Sequence, residues 1–228
     1  MDVLIAGGHG QVARRLIRRL ARDGHTARGL IRNPDHAADI EDDGGVPVLC
    51  DLERDDVRPH VGGTDAIVFA AGAGPGSGAE RKRTVDLGAA VKCVEAAEAL
   101  GVARFVIVSS IGAGDPEAGP EAMRPYLRAK AQADERVAGS TLDWTIVRPG
   151  SLHDGPGSGL VDVSTALGRR GPVSRDDVAL VLAETLQAPN TIRLTFELFA
   201  GDTPARDAVR GLGARPMEQI SEHGRLDT

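Results

Sequence analysis

The chain opens on Val3-Leu4-Ile5-Ala6, turns through Gly7-Gly8-His9-Gly10, and continues as Gln11-Val12-Ala13-Arg14-Arg15-Leu16-Ile17-Arg18-Arg19-Leu20. A short apolar run, a glycine turn and an amphipathic helix in immediate succession restrict the fold sharply. The helix must lie back against the strand, and its first backbone N–H groups and positive dipole end face whatever sits above the turn. Val12, Leu16, Ile17 and Leu20 share one helical face and the arginines take the other. Gly7, Gly10 and Ala13 keep the Gly-x-x-Gly-x-x-Ala spacing of loops that cradle a dinucleotide pyrophosphate, in which the third position serves close helix–strand packing. The stretch Gly7, Gly8, His9, Gly10, Gln11 and Val12 is therefore the first candidate cofactor contact.

The rest of the chain repeats the alternation. Thr26 to Arg32, Val46 to Asp51, Asp65 to Ala71, Arg104 to Ser109 and Leu142 to Val147 read as strands two to six, with a late strand at Arg193 to Ala200 and a short one at Leu160 to Ser164. Helices are expected over Gln11 to Arg22, Pro34 to Asp42, Glu80 to Leu100 and Pro125 to Ala138, and after Ser174, where Asp177 completes a Ser-x-x-Asp capping box. A short helix and a polar tail finish the chain. Strands joined by crossovers of a dozen residues or more make a parallel sheet. The expected architecture is a three-layer α/β/α, Rossmann-type doubly wound sheet of order 3-2-1-4-5-6, with the late strand at the edge beyond strand six. One domain is expected over residues 1–228, with a small substrate-side portion from about residue 150.

The totals narrow the function. A formal net charge of −6 argues against a nucleic-acid footprint. The sequence has neither a signal-peptide pattern nor an apolar run long enough to span a membrane, so a cytoplasmic protein is expected. Cys50 and Cys93 form no CxxC pair and read as buried thiols. The six histidines have no metal-ligand spacing, so no metal is expected. Lys82, Lys92 and Glu98 leave the long helix without an apolar seam that would declare a homo-oligomer.

A cofactor on the first loop would lie across the carboxyl ends of the strands, which directs attention to the residues there. Strand two ends in Arg32-Asn33, with no carboxylate for the adenosine ribose. Arg32 either forks onto a 2′-phosphate, which selects NADP(H) over NAD(H), or is a solvated strand-end arginine. Asp51, followed by Leu52, reaches an adenine amino group or caps the next turn. The glycine run at 72–78 follows strand four and reads as ligand-contacting backbone or as a connector. Strand five ends in Ser109-Ser110. Beyond it, Tyr126 and Lys130 stand four residues apart on one helix face. Tyr126 is the only tyrosine and Lys130 one of three lysines beside 24 arginines. A phenol titrates near ~10. A neighbouring ammonium stabilises its phenolate and makes it a better acid–base group at neutral pH.

As a set, Gly7-x-x-Gly10-x-x-Ala13, Ser109-Ser110, Tyr126-x-x-x-Lys130 and Arg148-Pro149-Gly150 resemble the short-chain dehydrogenase/reductase superfamily, in particular its atypical branch of small NAD(P)H-binding, NmrA-like or sugar-epimerase-like proteins. The resemblance runs from residue 1 to about 201. It implies Tyr126 as general acid/base, Lys130 as its partner and a hold on the nicotinamide ribose, and Ser110 as the carbonyl-orienting hydroxyl, with Ser109 as alternate. It also implies cofactor contacts from Ala70, Ala71 and Gly72 and, beside the nicotinamide, from Pro149, Gly150 and Ser151. The function so implied is NAD(P)H-dependent oxidation or reduction of a small carbonyl or alcohol. A dinucleotide-sensing regulator and a nucleotide-sugar epimerase are the alternatives. Alanine at the third glycine position and a 16-residue interval from Ser110 to Tyr126 depart from the usual pattern.

Overall fold

The computed structural model describes residues 1–213 apart from Pro75 and Arg169, and of Ala79 the backbone alone. The polar tail and His223 lie outside the described residues. In chain order the elements are β1 (Asp2–Ala6), α1 (Gln11–Arg22), β2 (Thr26–Ile31), a 3₁₀ turn (Pro34–His36), α2 (Ala37–Asp42), β3 (Val46–Leu49), α3 (Arg58–Val61) and β4 (Ala66–Phe69). Next come α4 (Ala79–Arg81), a π-helical segment (Lys82–Ala89), α5 (Ala90–Leu100), β5 (Arg104–Val108), α6 (Arg124–Ala138), β6 (Asp143–Pro149), β7 (Ser151–His153) and β8 (Leu160–Ser164). The chain then forms β9 (Pro172–Ser174), α7 (Arg175–Leu186), β10 (Leu194–Ala200), β11 (Thr203–Pro204) and α8 (Ala205–Gly211).

The main sheet runs β11-β8-β10-β6-β5-β4-β1-β2-β3. From β3 to β10 every pairing is parallel, and the first six strands keep the expected order 3-2-1-4-5-6. The late strand β10 does pair with β6, yet it is not the edge. Antiparallel β8 covers it, and β11 pairs in turn with β8. Covering β10 satisfies a row of backbone groups that a buried edge would leave unpaired. β7 and β9 form a separate parallel pair.

The alternation of side chains along the strands divides the apolar residues between two cores. On one face Val3 and Ile5 of β1, Val68 of β4 and Val106 of β5 meet Leu16, Ile17 and Leu20 of α1 and Val178, Val181 and Leu182 of α7. On the other, Leu4, Ile67, Phe69, Phe105 and Ile107 meet Val61 of α3, Cys93 and Val94 of α5, and Ala133 and Val137 of α6. Strands buried on both faces carry continuous apolar runs, which is why β1 and β4 show no polar alternation in sequence. Each fully buried Leu, Ile or Phe contributes about 1.5–3 kcal/mol.

The helical stretch 79–100 is continuous, as its sequence suggests, but it is wound as a π-helix over Lys82–Ala89. That winding carries Asp86 to full burial. Such π segments are rare and concentrate at functional sites. Gly101 closes α5 in the left-handed region at φ 72°.

Ser174 caps α7: its Oγ accepts from the Asp177 N–H at 2.9 Å and donates to the Asp177 carboxylate at 2.8 Å. Asp177 does not complete the box backwards. Its carboxylate instead accepts the backbone N–H groups of Ser158 (3.2 Å) and Gly159 (2.8 Å). Arg15 of α1 pairs with Asp176 at 2.8 Å, and Arg175 with Asp154 at 3.1 Å. The segment after β7 is thus tied to the starts of α1 and α7. Ser174→Ala is expected to lower unfolding free energy by about 0.5–2 kcal/mol, read as a shifted urea midpoint with an unchanged slope.

Candidate active site and dinucleotide cleft

The glycine loop is pressed onto the sheet. Gly7 sits at φ 81°, and a Cβ there would lie 2.6 Å from Ala71 Cα. A Cβ on Gly8 would lie 2.6 Å from Gly29 Cα of β2. Neither position admits another residue without moving backbone. Gly8 N–H donates to Leu30 O at 2.8 Å, which fixes the loop to the end of β2. Gly10 is the N-cap of α1, with no side-chain cap, and the first turn holds no acidic residue. The amino end of α1 is therefore offered to an external anion. These features fit a dinucleotide pyrophosphate.

Beside the loop runs a cleft of about 260 Å³. It lies along the carboxyl ends of β1, β2 and β4 and includes Gly7, His9, Gly10, Arg32, Asp51, Leu52, Ala70, Ala71 and Gly72 among its walls. Other residues named from the sequence lie elsewhere, turn away or are engaged locally. Val12 is core, and Gln11 is exposed with its Oε1 accepting from Arg15 Nη1 at 2.9 Å. Asn33 caps the following 3₁₀ turn, its Oδ1 accepting from Asp35 N–H at 3.1 Å. Asp51 also acts locally, its Oδ1 accepting from Glu53 N–H at 3.0 Å. Gly8 is buried against β2. Pro149 and Gly150 are buried at the end of β6, and Ser151 is exposed beside them.

Sequence reasoning missed several cleft residues, among them the four side chains of His36, Glu53, Arg81 and Val85. His36 stacks on His9, with ring centres 3.5 Å apart and planes 11° apart, and His9 Nε2 lies 2.7 Å from Asp39 Oδ2. None of the four carries a local motif. Arg81 and Val85 come from a helix separated from the loop by more than 60 residues.

The second group of residues gathers where the π-helical segment, α6, β5 and β6 meet. Tyr126 is half-buried, and Lys130 Nζ lies 5.9 Å from the centre of its ring. Lys130 is only 3% exposed. Its ammonium donates to Val108 O at 3.1 Å and lies 3.3 Å from Asp86 Oδ1. Asp86 Oδ2 in turn accepts Ala73 N–H at 3.2 Å, so this carboxylate links the glycine run to the lysine. Asp86 was not singled out in the sequence. An aspartate inside a helical stretch is ordinarily solvated, and only the π winding turns it inward.

The two serines separate here. Ser109 is buried and its Oγ donates to Asp134 Oδ2 at 2.9 Å. Ser110 is half-buried and its Oγ donates to Ile111 O at 3.2 Å. Arg148 Nε and Nη2 reach the same Asp134 oxygen at 3.0 and 2.9 Å. Burial nevertheless pushes the Asp134 carboxyl above its ordinary range, outweighing the opposing pull of Arg148 and Ser109. Cys50 and Cys93 are both free thiols, and burial pushes them up to about 11 and about 12, so neither is a nucleophile at neutral pH. Among the described residues, no three His, Cys, Asp or Glu side chains converge as a metal site. No described helix is long and apolar enough to cross a membrane.

The raised Asp134 carboxyl has a signed consequence. The folded state holds that proton more tightly than the unfolded chain does. Its contribution to stability is complete below the ordinary value of 3.8 and is lost as pH rises through the folded value. Urea denaturation from about pH 3.5 upward is expected to show this downward component in the parent protein and not in Asp134→Asn. Superimposable pH–stability slopes would contradict it.

A family model described as NAD(P)H-binding matches residues 7–189. The Bacillus subtilis protein named uncharacterized sugar epimerase YhfK is 38% identical over 216 residues, covering 93% of this chain and all of that protein. A solved Bacillus halodurans structure, named as a candidate NAD-dependent epimerase/dehydratase, superposes with a TM-score of 0.90 at 41% identity, over 93% of this chain and all of that one. ChuY, an anaerobillin reductase of Escherichia coli O157:H7, superposes at 0.74 with 25% identity, over 89% and 98%. The match to the family model over most of the chain, the parallel sheet and the glycine loop agree: the chain belongs to the NAD(P)H-binding family, in the atypical branch of the short-chain dehydrogenases/reductases.

Proposed function

We propose that this protein is an NAD(P)H-dependent oxidoreductase that interconverts a small carbonyl compound and its alcohol, with preference for the phosphorylated dinucleotide. The observation that carries this reading is the cleft between the uncapped start of α1 and the carboxyl ends of β2 and β4. The backbone of Gly7 to Val12 holds the pyrophosphate, Arg32 the adenosine end, and Ala70 to Gly72 the intervening wall. Pro149, Gly150 and Ser151 border the nicotinamide end. The bound dinucleotide supplies or accepts the hydride.

The chain itself handles the proton. Tyr126 Oη gives a proton to the substrate oxygen during reduction and takes it back during oxidation. Lys130 is fixed by Val108 O and Asp86, with its ammonium 5.9 Å from the centre of the Tyr126 ring. The ammonium has three donors, so a ribose hydroxyl can still be served. Ser110 orients the carbonyl, since Ser109 is occupied by Asp134. A second reading, dinucleotide sensing without turnover, is favoured by the depth at which Lys130 is held, 3% exposed against a buried carboxylate.

Fluorescence titration with NADPH and NADH, followed by turnover on a panel of aldehydes and ketones, separates the two. Tyr126→Phe is expected to lower kcat by about 10²- to 10⁴-fold while NADPH affinity stays within about twofold of the parent, because the phenol hydroxyl is assigned to the reacting end. Cofactor binding with no turnover across the panel would favour the sensor. Turnover indifferent to Tyr126→Phe would remove the tyrosine from the mechanism.

A further inference from the structure

The adenosine end of the cleft holds an arrangement that the assignment of Arg32 alone does not explain. Arg32, at the end of β2, has a largely exposed side chain whose Nη1 lies 3.8 Å from Glu53 Oε2. Arg81, the last residue of α4, places its Nε 3.5 Å from the same oxygen. Both separations exceed a good charge-assisted hydrogen bond of ~2.7–2.9 Å. The other carboxylate oxygen is held firmly, accepting from Thr84 Oγ1 at 2.7 Å. One oxygen of Glu53 is thus anchored to the helical stretch, and the other is suspended loosely between two guanidinium groups that approach from opposite elements of the cleft.

We propose that Arg81 is a second specificity-determining cation for a phosphate on the adenosine ribose, and that Glu53 Oε2 engages the two arginines loosely until the phosphate draws them to itself. This rests on the phosphorylated-dinucleotide preference proposed above. The physical argument is one of replaceable partners. Two guanidiniums at 3.5 and 3.8 Å from a single carboxylate oxygen satisfy it only by charge, leaving their forked N–H groups for a better acceptor. A phosphate offers three acceptor oxygens and up to two charges, enough to engage both arginines. Glu53 need not leave: Thr84 retains it while Arg32 and Arg81 turn to the ligand. The carboxylate also repels the incoming phosphate, so it lowers the affinity that two unopposed arginines would give.

α4 and the π-helical segment follow the glycine run, and that junction brings Arg81 into the wall of the cleft and Asp86 to Lys130 five residues later. One stretch of chain therefore serves the adenosine end through Arg81 and the reacting end through Asp86.

The test is equilibrium binding of NADPH, NADH, 2′-phospho-ADP-ribose and ADP-ribose to the parent protein, Arg81→Ala, Arg32→Ala and Glu53→Gln. Arg81→Ala is expected to weaken the two phosphorylated ligands by about 10- to 100-fold and the unphosphorylated ones by less than about twofold. Glu53→Gln keeps an acceptor for Thr84 and removes the charge, so it is expected to tighten the phosphorylated ligands selectively. A parent protein that does not prefer the phosphorylated ligands overturns the preference itself, and with it this inference. A parent protein that prefers them, with a preference that Arg81→Ala leaves intact, overturns the role of Arg81 and leaves Arg32 as the determinant. Selective weakening of NADH and ADP-ribose by Glu53→Gln would mark Glu53 as a ribose acceptor, and also overturns the proposal. Far-ultraviolet circular dichroism and a thermal midpoint for each variant confirm that the comparison is between folded proteins.

Discussion

Everything in this protein depends on how closely the first loop approaches the sheet. At Gly7 and Gly8 the backbone meets Ala71 and Gly29 at distances that leave no room for a Cβ. The contact places the start of α1 directly against the ends of β2 and β4. It also leaves the helix terminus uncapped by any side chain, since a capping group would fill the space the loop leaves. The anion-accepting end and the cleft wall are thus one consequence of one packing constraint. The third position of the motif, Ala13, lies fully buried against the sheet and takes its methyl group without loosening this contact.

The reacting end is built on a different principle. Asp86, Lys130 and Asp134 are buried and Arg148 is largely so, and each is held by another of the set or by backbone. Such pairs contribute little net stability, because desolvation offsets most of the attraction, but removing one partner strands the other. Their value here is positional. Asp86 connects the glycine run to Lys130, and Asp134 connects Ser109 to Arg148. The two serines that look equivalent in sequence are therefore unlike. Ser109 belongs to the support and Ser110 is available to a ligand.

The alternation of apolar runs and amphipathic helices made the sheet order legible, because a strand buried on both faces has a sequence pattern found in few other settings. The expectation that β10 would be the edge erred for a physical reason. β8 and β11 are short and antiparallel, and their pairing depends on a return of the chain that local hydrophobicity does not encode. Asn33 offers a similar lesson. Its place after β2 suits either a ligand contact or a turn cap, and the backbone of the following 3₁₀ turn takes it.

By itself the sequence determined the parallel α/β sheet, the glycine loop and the pairing of Tyr126 with Lys130 on one helix face. Each is a short-range matter of spacing, and spacing survives in one dimension. Only the tertiary structure decided which charges meet. The π winding of residues 82–89 buries Asp86, the packing of α6 on that segment buries Lys130 beside it, and Arg81 and Arg32 reach Glu53 from separate elements. Charge partnerships across a cleft are set by the approach of elements far apart in the chain, and nothing in the local sequence of either partner specifies that approach.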